Sequence, residues 1–166
     1  YLPKDGSIFL TNGDAVFDLD VSTMAKVHQG ADAAATFATV ETISQYGLLV
    51  MDDNGVAGFE RRSHVAGYQI QTGNGLSTGL VYAGICMLHN RSLDRVDLAT
   101  SPNFEAELFP KLIAEEKTAQ YVIPGFWYSI DTPKDLANIS TGDSTDPLIA
   151  VPVTRLKEDL EKVSVA

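Results

Sequence analysis

The chain has 166 residues, enough for one domain that buries roughly 70% of its unfolded surface. Apolar content of 45% and charged content of 20% are those of a globular protein, and every apolar run falls short of the ~20 residues that a membrane helix needs. A net charge of −10, from 12 basic and 22 acidic residues, argues against nucleic acid as a partner, because phosphates are neutralised by clustered Lys and Arg.

In chain order, residues 8–10 read as a short buried strand, followed by Asn12-Gly13-Asp14. Residues 20–28 read as a helix with Val21, Met24, Ala25 and His28 on one face, stopped at Gly30. Residues 33–40 are strand-like, carrying Thr36, Phe37, Thr39 and Val40. Residues 46–51 and 56–62 flank Asp52-Asp53-Asn54-Gly55, and Asn-Gly between two such runs predicts a hairpin. Residues 65–79 are rich in Gly, Gln, Thr and Ser and read as an irregular loop or lid. Residues 80–88 are a further strand. Cys86 sits in that apolar run and reads as a buried free thiol. Residues 103–116 read as a helix, with Phe104, Leu108 and Leu112 four apart, Ile113 beside them and Asn103 as cap. Residues 121–123 and 127–130 are strands. Thr132-Pro133 opens a helix, with Thr as cap and Pro in the first turn. Residues 140–152 read as a linker to a last helix over 154–163, where Leu156, Leu160 and Val163 recur at helical spacing.

Strands alternating with helices predict an α/β fold with the hairpin as an antiparallel addition. In such sheets ligands sit beyond the carboxyl ends of the strands, and Asp14 lies just past the first of them. Two readings of Asn12-Gly13-Asp14 stay open at this point: turn chemistry, which uses these residue types everywhere, and a metal-and-phosphate site. Other motifs carry less. Gly73-x-Gly75-x-x-x-Gly79 has the wrong spacing for a phosphate loop and precedes a strand, not a helix. His28, His64 and His89 share no metal-ligand spacing. No basic-then-apolar leader is read at the start, and one lone thiol permits no internal disulfide, so the expected compartment is cytoplasmic.

Five ordered stretches carry a resemblance: "FLTNGDAVFDLDVSTMAKVHQGADAAATFATVE", "QYGLLVMDDNGVAGFERR", "VYAGICML", "NFEAELFPKL" and "GFWYSIDTPKDL". Together, from about residue 8 to residue 139, they resemble the sugar-1-phosphate nucleotidyltransferases. The resemblance implies a Rossmann-like mixed sheet flanked by helices. It also implies transfer of a nucleotidyl group from an NTP to a sugar 1-phosphate, giving an NDP-sugar and pyrophosphate, with Mg2+ as cofactor. It makes Asp14 and Asp131 the catalytic, magnesium-holding carboxylates. Many members place the second aspartate two residues after Trp; here Ser129 holds that place, and Asp131 follows one same-face step later. A similar ending occurs in the glucose-1-phosphate cytidylyltransferases, which points toward CTP. The alternative role for Asp131 is a cap on the Pro133 helix.

For the sugar, the resemblance implies Tyr46 and Gly47, Glu60 and Arg61, Tyr82 and Gly84, and Glu105. Arg61 replaces a lysine, changing a point charge into a planar fork, and Tyr82 replaces an asparagine. The family's first strand and Gly-rich, Arg-bearing loop are not found in this sequence. Residues 1–140 are therefore expected to be the C-terminal portion of a nucleotidyltransferase domain, with 141–166 a linker and C-terminal helix. A missing N-terminal segment or a partner chain is expected to complete it, and a homo-oligomer is a further expected partner. The alternative is a non-catalytic sugar-phosphate-binding or regulatory subunit.

Overall fold

The computed structural model describes residues 5–44, 46–61, 63–95 and 103–141, together with Arg155 and Glu158. In chain order the elements are β1 (Ser7–Thr11), β2 (Ala15–Phe17), α1 (Val21–Gly30), β3 (Ala35–Val40), β4 (Thr42–Ile43), β5 (Gly47–Asp52) and β6 (Gly55–Arg61). They continue with β7 (His64–Val65), β8 (Tyr68–Thr72), β9 (Gly75–Gly79), β10 (Val81–His89), a 3-10 turn (Asn90–Arg95), α2 (Phe104–Glu115), β11 (Thr118–Val122), β12 (Trp127–Ser129) and α3 (Pro133–Thr141). The chain divides into two compact units, one formed by Tyr1–Thr11 and Asp20–Ile123, the other by Asn12–Leu19 and Pro124–Ala166.

The first unit is built on a four-stranded mixed sheet in the order β1-β10-β3-β11. β10 runs antiparallel to both β1 and β3, and β11 runs parallel to β3. Strands with a partner on each side and cover on both faces read as continuous apolar runs, and β10, VYAGICMLH, does. Its residues Ile85, Cys86 and Leu88 are fully buried. α2 covers this sheet through Leu108 and Leu112, both inaccessible to solvent. They join Ala34, Ala35, Cys86 and Leu88 in one cluster, with Ile8, Leu10, Phe37, Tyr82, Leu93 and Phe109 packed against it. Burying each leucine contributes about 1.5–3 kcal/mol, which offsets the ~3 kcal/mol that Pro110 costs inside α2.

Caps fix where the helices begin. Asp20 accepts the Thr23 N–H at 3.0 Å and the Thr23 hydroxyl at 2.6 Å, and these bonds hold its carboxyl below the usual range. Asn103 accepts the Ala106 N–H at 2.9 Å, as its sequence position predicts. On α1, Met24 and His28 turn inward; Val21, expected on that face, is exposed. Ile113 of α2 is exposed as well, because the buried seam runs through Leu108 and Leu112, and a residue one step beyond Leu112 leaves it.

Two hairpins extend the first unit. The Asn54-Gly55 hairpin expected from sequence forms β5–β6, with Gly55 at φ +116° and the Asn54 N–H bonded to Asp52 Oδ1 at 2.8 Å. The loop or lid expected over 65–79 is a correction: it is the strand β7 and the hairpin β8–β9. Its turn is made by Gly75 at φ +110°, and the Thr72 hydroxyl donates to the Gly75 carbonyl at 2.8 Å. Polar alternation around Tyr68 and Ile70 hid a two-sided exposed strand.

The second unit is the ribbon β2–β12 followed by α3. Trp127 pairs with Phe17, Tyr128 with Val16 and Ser129 with Ala15. Gly125 must lack a side chain, because a Cβ there would lie 2.9 Å from the Asp18 carbonyl oxygen. The linker and last helix expected after residue 141 lie outside the described residues, except for Arg155 and Glu158, both helical.

Candidate functional site

The two aspartates belong to the second unit and stand at one end of its ribbon. Asp14 lies in the turn between β1 and β2, and its carbonyl accepts the Ile130 N–H at 2.7 Å. Asp131 is the next residue after Ile130. At the other end the Asp18 N–H donates to the Phe126 carbonyl at 2.7 Å, so the ladder runs the full length of both strands. A hydrogen-bonded antiparallel pair has Cα atoms about 5.5 Å apart. One further step of about 3.4 Å along a strand then puts the Asp14 and Asp131 Cα atoms roughly 6–7 Å apart. Both side chains are exposed.

The register has a second consequence. Residues directly opposite share a face, and successive residues alternate. Ala15 and Ser129 therefore point to one side and Ile130 to the other, and Asp131 returns to the Ser129 side. The Ser129 hydroxyl donates to Asp131 Oδ1 at 2.9 Å, in keeping with that shared side. Pleating alone would send Asp14 away from Asp131. Asp14 is a turn residue, not a strand residue, so the backbone of residues 12–14 sets its direction.

Asp131 does not cap α3. Thr132 does: its hydroxyl accepts the Asp135 N–H at 3.2 Å. The Asp135 carboxylate reaches back to the Thr132 N–H at 2.8 Å and the Thr132 hydroxyl at 2.6 Å. This is a capping box. The Tyr128 hydroxyl donates to the same carboxylate at 2.7 Å. The Thr132 hydroxyl first, then that of Tyr128, holds the Asp135 carboxyl below its ordinary range. Sequence reading singled out Thr132 and Pro133 but missed Asp135, although T-x-x-D is itself the signal. Among the described residues, no three or more His, Cys, Asp or Glu gather as a metal cage.

The residues expected to hold sugar lie in the first unit, in two places. On the β5–β6 hairpin, Gly47 pairs with Arg61, and Glu60 pairs with Leu48. Gly47 and Arg61 thus share one face of the hairpin and Glu60 the other, and Tyr46, Glu60 and Arg61 are all exposed. The Phe59 ring lies over Gly47 so closely that a Cβ there would come within 2.3 Å of it. Any larger residue at 47 would have to displace this exposed ring.

The second place is the bulge in β10. The register between β10 and β3 shifts between Tyr82 and Cys86, and Gly84 sits in the bulge at φ +73°, where a glycine is favoured. Tyr82 packs edge-on against Phe37 and Phe109, with ring centroids 6.2 and 5.5 Å away. Burial pushes its phenol far above the ordinary range, with Cys86 and Glu105 adding to the shift. Burial likewise pushes the Cys86 thiol up to about 11, so it stays a neutral core residue as its sequence position predicts. Glu105, exposed in the first turn of α2, is close enough for its charge to act on both. Tyr82, Gly84 and Glu105 therefore form one neighbourhood.

Comparison with known proteins agrees with this fold. No family model matches the chain. It is 31% identical over 136 residues to a probable mannose-1-phosphate guanylyltransferase 2 of Oryza sativa subsp. japonica, covering 79% of this chain and 35% of that protein. It is 32% identical over 132 residues to a probable mannose-1-phosphate guanylyltransferase 3 of Arabidopsis thaliana, covering 76% and 36%. It is 26% identical over 136 residues to a probable glucose-1-phosphate cytidylyltransferase of Bacillus subtilis, covering 82% and 49%. Among solved structures, HddC from Yersinia pseudotuberculosis superposes with a TM-score of 0.50 at 19% identity, over 80% of this chain and 53% of that one. A putative glucose-1-phosphate thymidylyltransferase from Bacillus anthracis gives 0.50 at 9% identity, over 80% and 52%. The chain thus spans about a third to a half of the length of these relatives. Its homologues by sequence are sugar-1-phosphate nucleotidyltransferases, and it shares their fold over a part of their length.

Proposed function

We propose that the protein to which this chain belongs joins an NTP and a sugar 1-phosphate into an NDP-sugar. A sugar-phosphate oxygen forms a bond to the α-phosphorus, the bond to the β-phosphate bridging oxygen breaks, and pyrophosphate leaves. Such a transfer asks the protein mainly for positioning and for compensation of charge. The observation that supports the reading is the bond between the Ile130 N–H and the Asp14 carbonyl, which brings the backbones of Asp14 and Asp131 together at one ribbon end.

Two exposed carboxylates, with no third acidic or imidazole ligand gathered beside them among the described residues, are a donor set suited to magnesium. That ion takes one or two carboxylates and completes its shell with phosphate oxygens and water. Asp14 and Asp131 would hold it, and when bound it neutralises charge on the phosphates. Arg61 offers a planar fork to the sugar phosphate, whereas Glu60, on the opposite face of the hairpin from Gly47 and Arg61, does not share that contact. The exposed Tyr46 ring is open to the sugar, while Gly47 lies under the Phe59 ring. In the second neighbourhood Gly84 gives the bulge its left-handed backbone, the protonated Tyr82 hydroxyl donates, and Glu105 supports it.

A net charge of −10 and the lack of a Gly-rich basic loop leave these 166 residues few groups for a triphosphate. The triphosphate is therefore bound by residues beyond this chain, in cis or from a partner or second copy. A cytoplasmic setting, with its supply of NTPs, belongs to the same proposal.

Pyrophosphate release from each NTP with a panel of sugar 1-phosphates tests this, GTP and CTP first. The full-length protein should turn over one pair. Asp14→Asn or Asp131→Asn should cut turnover by on the order of 100-fold or more. The isolated 166-residue chain should show none; robust turnover by it would refute the claim that triphosphate binding lies elsewhere. Silence with every pair, together with calorimetric binding of a sugar phosphate, would favour a non-catalytic binding subunit.

A further inference from the structure

The end of β12 shows how Asp131 is aimed. Its backbone is fixed from the helix side, because the Asp135 carboxylate ties Tyr128, three residues before Asp131, to Thr132, directly after it. With the main chain held, the direction of the carboxylate depends on its own two side-chain torsions. The Ser129 hydroxyl, on the same side of the ribbon, takes Oδ1 at 2.9 Å. Oδ2 makes no hydrogen bond among the described residues.

We propose that Ser129 is a positioning residue for Asp131, its hydroxyl holding one carboxylate oxygen so that the other is presented to a divalent cation. The inference rests on the metal-site reading of Asp14 and Asp131 given above. Supporting residues of this kind restrict the orientation of a ligand before the ion arrives. Ser129 is neutral, so it orients the carboxylate without competing for the cation, as a second acid at that place would. The bond is exposed and shares its partners with water, so its net effect is moderate.

The test is Mn2+ binding to the full-length protein, read from the loss of the free-ion electron paramagnetic resonance signal, alongside thermal unfolding of every variant. Asp14→Asn and Asp131→Asn should each remove a site present in the unaltered protein. Ser129→Ala should weaken that site about 10-fold with an unchanged melting temperature, and Ser129→Thr, which keeps the hydroxyl, should bind as the unaltered protein does. If the two Asn variants lose the site while Ser129→Ala binds normally, the positioning role is wrong and the metal site stands. If the Asn variants bind like the unaltered protein, the metal-site reading fails and this inference fails with it. If Ser129→Ala loses affinity and melting temperature together, without rescue by Thr, the serine is structural and the inference is overturned.

Discussion

Two strands of the first unit are both largely apolar in sequence and live in opposite surroundings. β10, VYAGICMLH, lies between β1 and β3 with α2 packed on the sheet, and most of its residues are buried. β5, GLLVMD, pairs among the described residues only with β6, and every one of its residues is exposed, Leu49 at 60% and Met51 at 62%. An apolar run records that a strand forms; the number of its partner strands and the cover on its faces decide whether it is buried. A two-stranded ribbon buries too little on its own to count as core. Stability should therefore concentrate in the β1-β10-β3-β11 sheet and its helices, and the hairpins should contribute little.

The largest effect should come from emptying the covered side. Leu108→Ala or Leu112→Ala leaves a cavity at a fully buried site, and chemical denaturation should report a loss of about 2–5 kcal/mol. A loss below about 1 kcal/mol would place α2 outside the core.

A smaller effect should separate two glycines with positive φ. Gly84 at +73° lies in the buried strand and Gly55 at +116° in the exposed hairpin. Gly84→Ala should lower global stability by about 1–2 kcal/mol. Gly55→Ala should mainly open β5–β6 locally, seen as faster amide exchange in that hairpin with the sheet still protected. Equal global losses would break the comparison.

A third effect depends on pH. His28 is buried, with Nε2 2.9 Å from the Ser7 hydroxyl and Nδ1 2.9 Å from the Thr36 hydroxyl, tying α1 to β1 and β3. Burial, and then His89, lowers its pKa below the ordinary 6.5. The unfolded chain therefore takes up this proton first as the pH falls. The contribution of neutral His28 is complete above about pH 6.5 and is lost progressively below it, toward the lower folded pKa. Melting temperatures between pH 7.5 and 5 should fall more steeply for the unaltered protein than for His28→Gln. Parallel curves would show that His28 does not carry this dependence.

The smallest effect belongs to β5. Leu49→Ser should change global stability by no more than about 0.5 kcal/mol; a larger loss would mean that the hairpin is covered in solution.

Much of this organisation was legible where local chemistry decides it. Asn54-Gly55 announced its hairpin, Asn103 and Thr132 announced their helices, and Cys86 announced a buried strand. Side-chain exposure was less legible: Val21 and Ile113 follow helical periodicity yet face solvent, because the neighbouring element does not reach them. The β8–β9 hairpin was hidden because Gln, Thr and Ser on an uncovered strand look like loop. At the candidate site, the types and order of Asp14 and Asp131 were readable. Their adjacency was not, since it rests on pairing between β2 and β12, more than 100 residues apart in sequence. Asp135 was readable as the far end of a capping box but stood behind the more familiar Thr-Pro start.

Asp131 shares the Ser129 side of the ribbon, and a shared ion requires the turn at residues 12–14 to bring the Asp14 carboxylate to that side. Anomalous scattering from Mn2+ in crystals of the full-length protein tests this directly. The account predicts one peak at coordination distance, about 2.1 Å, from both the Asp14 and the Asp131 carboxylates. A peak held by other residues, with these two carboxylates turned to opposite sides of the ribbon, would contradict it.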